Sequence, residues 1–193
     1  AAYLPDKTVL TGSTIIPPTK PMSSRPLYAV GFTTQVHRFT QGNDYVLEWD
    51  DGSHDEHLFF PSLTIFYLRY DSTGPAQLAK SVPLRYVDQA GQRVAVYPSP
   101  TTIPRLVFPF DVIDEAMREL SEGDSTMSRY APLALQFRVI DCDFPLSRYY
   151  MSVNGSMDQY SIRLDESTYS NVQGGGGVVG STNTYGIDYE FDP

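Results

Sequence analysis

The sequence predicts an all-β domain, an antiparallel sandwich or jelly-roll-like barrel with one short helix near residues 111–120. Three observations predict it. Apolar and aromatic residues alternate with period two in one segment after another. Gly, Pro, Asn and Asp gather between those segments, where tight turns need them. Only one stretch has helical periodicity, and parallel βαβ winding would need a crossover helix between successive strands. A chain of 193 residues is long enough to build this as one domain, burying roughly 70% of the surface that its unfolded form exposes.

The elements follow in order. Residues 1–26 carry Pro5, Pro17, Pro18, Pro21 and Pro26 among Ser and Thr. Proline has no N–H to give a ladder, so this stretch is a stiff Pro-rich arm or linker, or else a strand that wraps a sheet edge. The β domain core spans residues 27–169. Tyr28, Val30 and Phe32, the turn Gln41-Gly42-Asn43-Asp44, and Tyr45, Leu47 and Trp49 read as a hairpin. Leu58 to Tyr70 is apolar on both parities, with Leu63, Ile65 and Tyr67 against Phe66, Leu68 and Tyr70, and predicts a central strand covered on both faces. Val82, Leu84 and Tyr86 pair with Val94 and Val96 around Gln89-Ala90-Gly91-Gln92. Leu106, Phe108 and Phe110 follow a Pro-rich connection.

The helix has Asp111 as its cap, Asp114 and Glu115 in the first turn, and Val112, Ile113, Ala116, Met117 and Leu120 at helical spacing, ending before Gly123. Leu133, Leu135, Phe137 and Val139 alternate with Ala134, Gln136, Arg138 and Ile140 as a half-buried strand. Tyr149, Met151 and Val153 run into Asn154-Gly155, a strong hairpin signal, and Tyr160, Ile162 and Leu164 run out of it. Residues 170–193 form a Gly-rich loop, Gly174 to Gly177, and an acidic C-terminal strand packed on the same domain. There Tyr185, Ile187, Tyr189 and Phe191 oppose Asp188 and Glu190, which suits an edge strand whose carboxylates block sheet-to-sheet pairing, or a strand donated to a partner.

The formal charge is −9, from 23 acidic and 14 basic residues, and such a field repels phosphate backbones and anionic membranes. The three lysines and scattered arginines make no basic patch, so nucleic-acid binding is not expected. No run of about 20 apolar residues is present, so membrane insertion is not expected either. The chain opens Ala1-Ala2-Tyr3 with no charged segment before an apolar one, which reads as a processed product or a piece of something longer.

Lone Cys142 sits where an apolar strand ends, between Asp141 and Asp143. It reads as a small buried hydrophobe whose thiol the two carboxylates make less acidic, not as a nucleophile. The densest polar cluster is Asp50-Asp51-Gly52-Ser53-His54-Asp55-Glu56-His57. Its spacing fits neither a calcium loop nor a two-histidine zinc helix, and it reads as a solvated loop. Asp141 and Asp143, or Glu48 opposite them, could form the carboxylate pair of a glycosidase, although a mechanism of that kind depends on a separation that spacing does not give. There is no Gly-x-Ser-x-Gly elbow, and the four-glycine tract has no following Gly-Lys-Ser/Thr. Asn154-Gly155-Ser156 matches the N-glycosylation pattern. Neither cofactor nor metal is expected. Fourteen tyrosines supply amphipathic contact area, and Tyr149, Tyr150, Tyr185 and Tyr189 are the candidates for an oligomer interface.

The hinge-like Ile16-Pro17-Pro18-Thr19-Lys20-Pro21, the strand series from Leu27 to Leu164 and the acidic Asp188-Tyr189-Glu190-Phe191-Asp192 together resemble the protruding or spike domains of non-enveloped RNA virus capsid proteins. The resemblance covers the whole chain. It implies a non-catalytic domain on the virion surface that dimerises and attaches to a host receptor or glycan. Separately, Trp49, Asp50, Asp51 and His54 are read from the residues as an exposed loop that contacts a partner. Two rivals are a carbohydrate-binding or adhesin-type β-sandwich, with Trp49 and exposed tyrosines stacking on sugar faces, and a β-jelly-roll glycoside hydrolase working through Asp141 and Asp143.

Overall fold

The computed structural model describes residues 2–3, 5, 9–26, 44–49, 57–82, 84–87, 93–96, 101–124, 128–152 and 169–191. Two antiparallel sheets face each other across one core. The larger has strand order β11-β10-β5-β6, built from β5 (Leu58–Asp71), β6 (Gly74–Val82), β10 (Arg129–Cys142) and β11 (Thr182–Glu190). The smaller has order β3-β4-β9, from β3 (Met22–Pro26), β4 (Asp44–Trp49) and β9 (Arg105–Pro109). Two short pairs complete the described strands, β1 (Ala2–Tyr3) with β2 (Val9–Leu10) and β7 (Leu84–Val87) with β8 (Arg93–Val96). The architecture is an all-β sandwich, as the alternation predicts.

The core is where the inward faces meet. Tyr45, Leu47 and Trp49 of β4 pack with Phe59, Leu63 and Ile65 of β5 and with Leu135, Phe137 and Val139 of β10. Trp49 lies edge-on to Phe59 at 5.5 Å and tilted to Phe137 at 5.9 Å, arrangements that aromatic quadrupoles favour. Helix α1 (Asp111–Glu122) adds Val112, Ile113 and Ala116 to the same cluster. Each large side chain buried this way contributes about 1.5–3 kcal/mol.

β5 and β10 pair along nearly their whole length, from Leu58 opposite Cys142 to Tyr70 opposite Arg129. The register shifts between Pro132 and Ala134, and β11 pairs only with Ala134–Cys142, so Pro132 lies at a bulge on an open edge, where its missing N–H costs no ladder bond. Gly186 of β11 stands opposite Arg138. A Cβ there would collide with the Phe137 carbonyl and the Arg138 side chain, which lies across the strand to reach the Ile187 carbonyl and Asp188.

Four readings of the sequence are corrected. Residues 144–152 form helix α2 (Phe144–Ser152), not a strand running toward Asn154. Asp143 nucleates it, because its Oδ1 accepts the Leu146 N–H at 3.0 Å and Pro145 fits a first turn, where N–H groups have no partner in any case. Residues 74–82 form β6, whose Pro, Ala, Gln and Lys have low strand propensity but are tolerated at an edge. The β5–β6 turn is set by Gly74 at φ +113° and by the Asp71 carboxylate, which accepts the Thr73 N–H at 2.8 Å. Next, β5 is fully covered on one face alone, since Phe66 and Leu68 are half-buried and Tyr70 is exposed. Finally, Phe110 occupies the cap of α1 and Asp111 falls in its first turn, while Gly123 ends the helix by donating its N–H to the Glu119 carbonyl at 3.1 Å. The segments around Tyr28 to Asn43, the turn at Gln89 to Gln92, and Val153 to Leu164 with the Asn154 glycosylation pattern, lie outside the described residues.

Candidate functional site

Four separate parts of the chain converge at one end of the sandwich: the Pro-rich arm at residues 11–20, the start of β5, the end of β10 with α2, and the segment leading into β11. Side chains hold the arm down. Asn171 donates from Nδ2 to the Ser13 carbonyl at 3.2 Å, Ser181 from Oγ to the Ile15 carbonyl at 3.1 Å, and Asn183 from Nδ2 to the Pro17 carbonyl at 3.0 Å. A backbone bridge joins Thr11 and Gln173.

Beneath the arm lies a buried polar cluster centred on Asp141, which is fully enclosed. Lys20 Nζ sits 3.0 Å from its Oδ2 as an ion pair without hydrogen-bond geometry. His57 Nδ1 lies 3.1 Å from Oδ1, and the Tyr185 hydroxyl 3.4 Å from Oδ2. A carboxylate out of water is costly unless charge and hydrogen bonds surround it, and this one has both. The Lys20 ammonium also rests 4.9 Å from the Phe59 ring centroid, a cation–π contact that adds to its stabilisation.

Asp143 is occupied in a different way. Its Oδ1 takes the Leu146 N–H that starts α2, and its Oδ2 accepts the hydroxyls of Thr14 and of Ser181, the latter at 3.1 Å. Asp141 and Asp143 therefore do not share a strand face, since the first ends a strand and the second caps a helix. Between them Cys142 is buried. Burial, then Asp141, then Asp143, push its thiol up to about 12. Ser147, also buried, accepts the Leu58 N–H at 2.9 Å and donates to the Cys142 carbonyl at 3.2 Å, tying α2 to both central strands.

A pocket of about 410 Å³ opens over this cluster. Its polar lining is Ser13, Thr14, His57 and Asp143, and its apolar lining is Ile15, Ile16, Pro17, Pro18, Phe144 and Pro145. Among the described residues no group of three or more His, Cys, Asp or Glu is placed to hold a metal ion.

The predicted site residues fall elsewhere. Trp49 is 1% exposed in the core and cannot serve as a contact loop, because its inward position on β4 commits it to Phe59 and Phe137. Asp50, Asp51, His54 and Asp55 lie outside the described residues. His57, read with them as part of a solvated loop, instead hydrogen-bonds to a buried carboxylate. Tyr185 and Tyr189 are 7% and 1% exposed and are packing residues. Tyr149 and Tyr150 are half-buried on α2, edge-on to each other at 5.6 Å, with Tyr150 also edge-on to Phe60 at 6.1 Å. Glu48 pairs with Arg105 at 3.6 Å across β4 and β9 in the smaller sheet. The link between Lys20, His57 and Asp141 was missed, and only the Asp-Phe-Pro helix start could have hinted that the chain turns there. Comparison with known protein families, with curated proteins and with solved structures finds no match to this chain.

Proposed function

We propose that this chain is a non-catalytic outer domain of a non-enveloped RNA virus capsid, one that dimerises and attaches the virion to a host receptor. The observation that carries this reading is the outer face of the larger sheet. On β5, Tyr70 is 41% exposed and follows half-buried Phe66 and Leu68 on the same face, while Ile140 of β10, 39% exposed, lies toward the other end of the sheet opposite Phe60. A sheet with one face in solvent ordinarily turns polar side chains outward, and the short apolar run Phe66, Leu68 and Tyr70 is a departure of the kind that marks an interaction surface. A second copy packing face to face would bury the same row on both sides with two-fold symmetry.

Two further features support the reading. The net charge of −9 disfavours contact with a packaged genome and suits an outward position. Asp141 and Asp143 are engaged with Lys20, His57, the α2 cap and two hydroxyls, duties that keep the fold together. The sugar-stacking alternative draws on Trp49 and exposed tyrosines, and burial withdraws Trp49 from it.

Sedimentation of the isolated domain tests the dimer. A dimer that Tyr70→Glu with Ile140→Asp converts to a folded monomer is expected, and a wild-type monomer at high micromolar concentration would overturn it. Multivalent display on a particle makes weak single-site attachment measurable. Saturable binding to host cells is expected, and absence of binding to any cell type or glycan panel would remove the attachment role.

A further inference from the structure

The pocket beneath the arm has a construction that dimerisation and attachment do not explain. Its walls include Ile15 and Ile16, which are 84% and 68% exposed although the arm that carries them is fixed by side-chain hydrogen bonds to the carbonyls on either side. Its inner surface holds two acceptors. Asp141, an acceptor, faces His57 Nδ1 at 3.1 Å, so Nδ1 carries a proton, and in the neutral tautomer that this pairing selects Nε2 presents a lone pair. Nε2 has no protein partner among the described residues. Asp143 presents the second acceptor, already anchored by Leu146, Thr14 and Ser181. Among the described residues no lysine or arginine lines the pocket, and the volume of about 410 Å³ falls within the range of small-molecule sites, which combine apolar walls with a few fixed polar groups.

We propose that this pocket binds a small amphipathic ligand with an aliphatic body and a hydrogen-bond-donating head, a hydroxyl or an ammonium group. The head donates to His57 Nε2 and reaches the Asp143 carboxylate, while the body lies along Ile15, Ile16, Pro17 and Phe144. An anionic head is disfavoured, because the Asp143 carboxylate repels it, the Thr14 hydroxyl is committed to that carboxylate, and the chain is net negative. Asp141 and Lys20 act as positioning residues that fix the imidazole and its tautomer. The inference goes beyond the capsid reading and does not depend on it.

The test is titration of the folded domain with n-hexanol, n-hexylammonium and hexanoate, followed by isoleucine methyl and imidazole ¹⁵N signals. Saturable shifts at Ile15, Ile16 and His57 are expected with the alcohol, the amine or both, and which of them binds identifies the head group. His57→Phe should weaken binding roughly tenfold, the equivalent of one lost hydrogen bond. Ile16→Ser, at an exposed position that leaves the fold intact, should weaken it several-fold. Hexanoate binding as tightly as the other two, an unchanged affinity in both variants, or no saturable shift with alcohol or amine would overturn the proposal.

Discussion

The centre of the sandwich and its arm-covered end are both closed to water, yet they are built from opposite materials. At the centre, Trp49, Phe59 and Phe137 meet as apolar surfaces, and any side chain of suitable volume contributes in proportion to what it buries. At the end, Lys20, His57, Tyr185 and Asp141 form a set in which each member is tolerable only because the others are present. The difference teaches that burial alone does not describe a protein interior. One region degrades gradually under substitution, while the other fails when a single partner is removed.

The largest effects should separate the two regions directly. Phe137→Ala should cost about 3–5 kcal/mol through lost transfer energy and an unfilled cavity. Lys20→Met should cost a similar ~3–5 kcal/mol although it removes no apolar contact, because Asp141 is left buried without its cation. In urea denaturation the double variant Lys20→Met with Asp141→Leu should be more stable than Lys20→Met alone, whereas adding a second apolar truncation to Phe137→Ala should deepen the loss. A double variant no better than the single one would show that the polar end is governed by packing after all.

A second contrast lies in pH. Cys142 is held protonated up to about 12 in the folded chain, whereas an unfolded thiol ionises near about 8.5. Between those values the unfolded state binds fewer protons, so stability falls as pH rises, at roughly 1.4 kcal/mol per pH unit. Burial raises the Tyr189 and Tyr150 hydroxyls as well, which adds the same sign further into alkali. Cys142→Ala should flatten the decline between pH 9 and pH 10, where the thiol dominates, and an unchanged slope would assign alkaline sensitivity to the tyrosines. A smaller effect is expected for Asp143→Ala, about 1–2 kcal/mol for the lost helix cap. It should be read by circular dichroism as fraying of α2 with the sandwich preserved.

The apolar centre was legible in the sequence and the polar end was not, for a physical reason. Alternation at Leu135, Phe137 and Val139 is a local signal, repeated within one strand, so it announces a buried face without knowledge of the partner. Leu63, Ile65 and Tyr67 announce the same, although the equally apolar Phe66 and Leu68 suggest a second cover that no periodicity can verify. The polar cluster joins positions 20, 57, 141 and 185, and nothing near any one of them points to the other three. Proximity along the chain groups His57 with His54 and the neighbouring carboxylates, and the charged loop that follows Trp49 suggests a surface position for it. The helix at Phe144 was within reach, since Asp143 followed two residues later by Pro145 is a start signal. It was overridden by the Asn154-Gly155 turn signal downstream. The strand at Gly74–Val82 carries Pro75, Ala76 and Ala79, so only its pairing with β5 reveals it.

The arm bears on the order in which this protein can be made. Residues that emerge early from a ribosome are clasped by residues that emerge late: Pro17 is held by Asn183, 166 positions downstream, and Thr14 by Asp143, 129 positions downstream. During synthesis the arm has no surface to settle on until almost the whole described chain exists, and loop closure across such spans is slow. β5 and β6, joined by a two-residue turn, can form while translation continues. Within this chain the arm precedes the segments that clasp it and docks after them, and Asp141 waits for Lys20 until then.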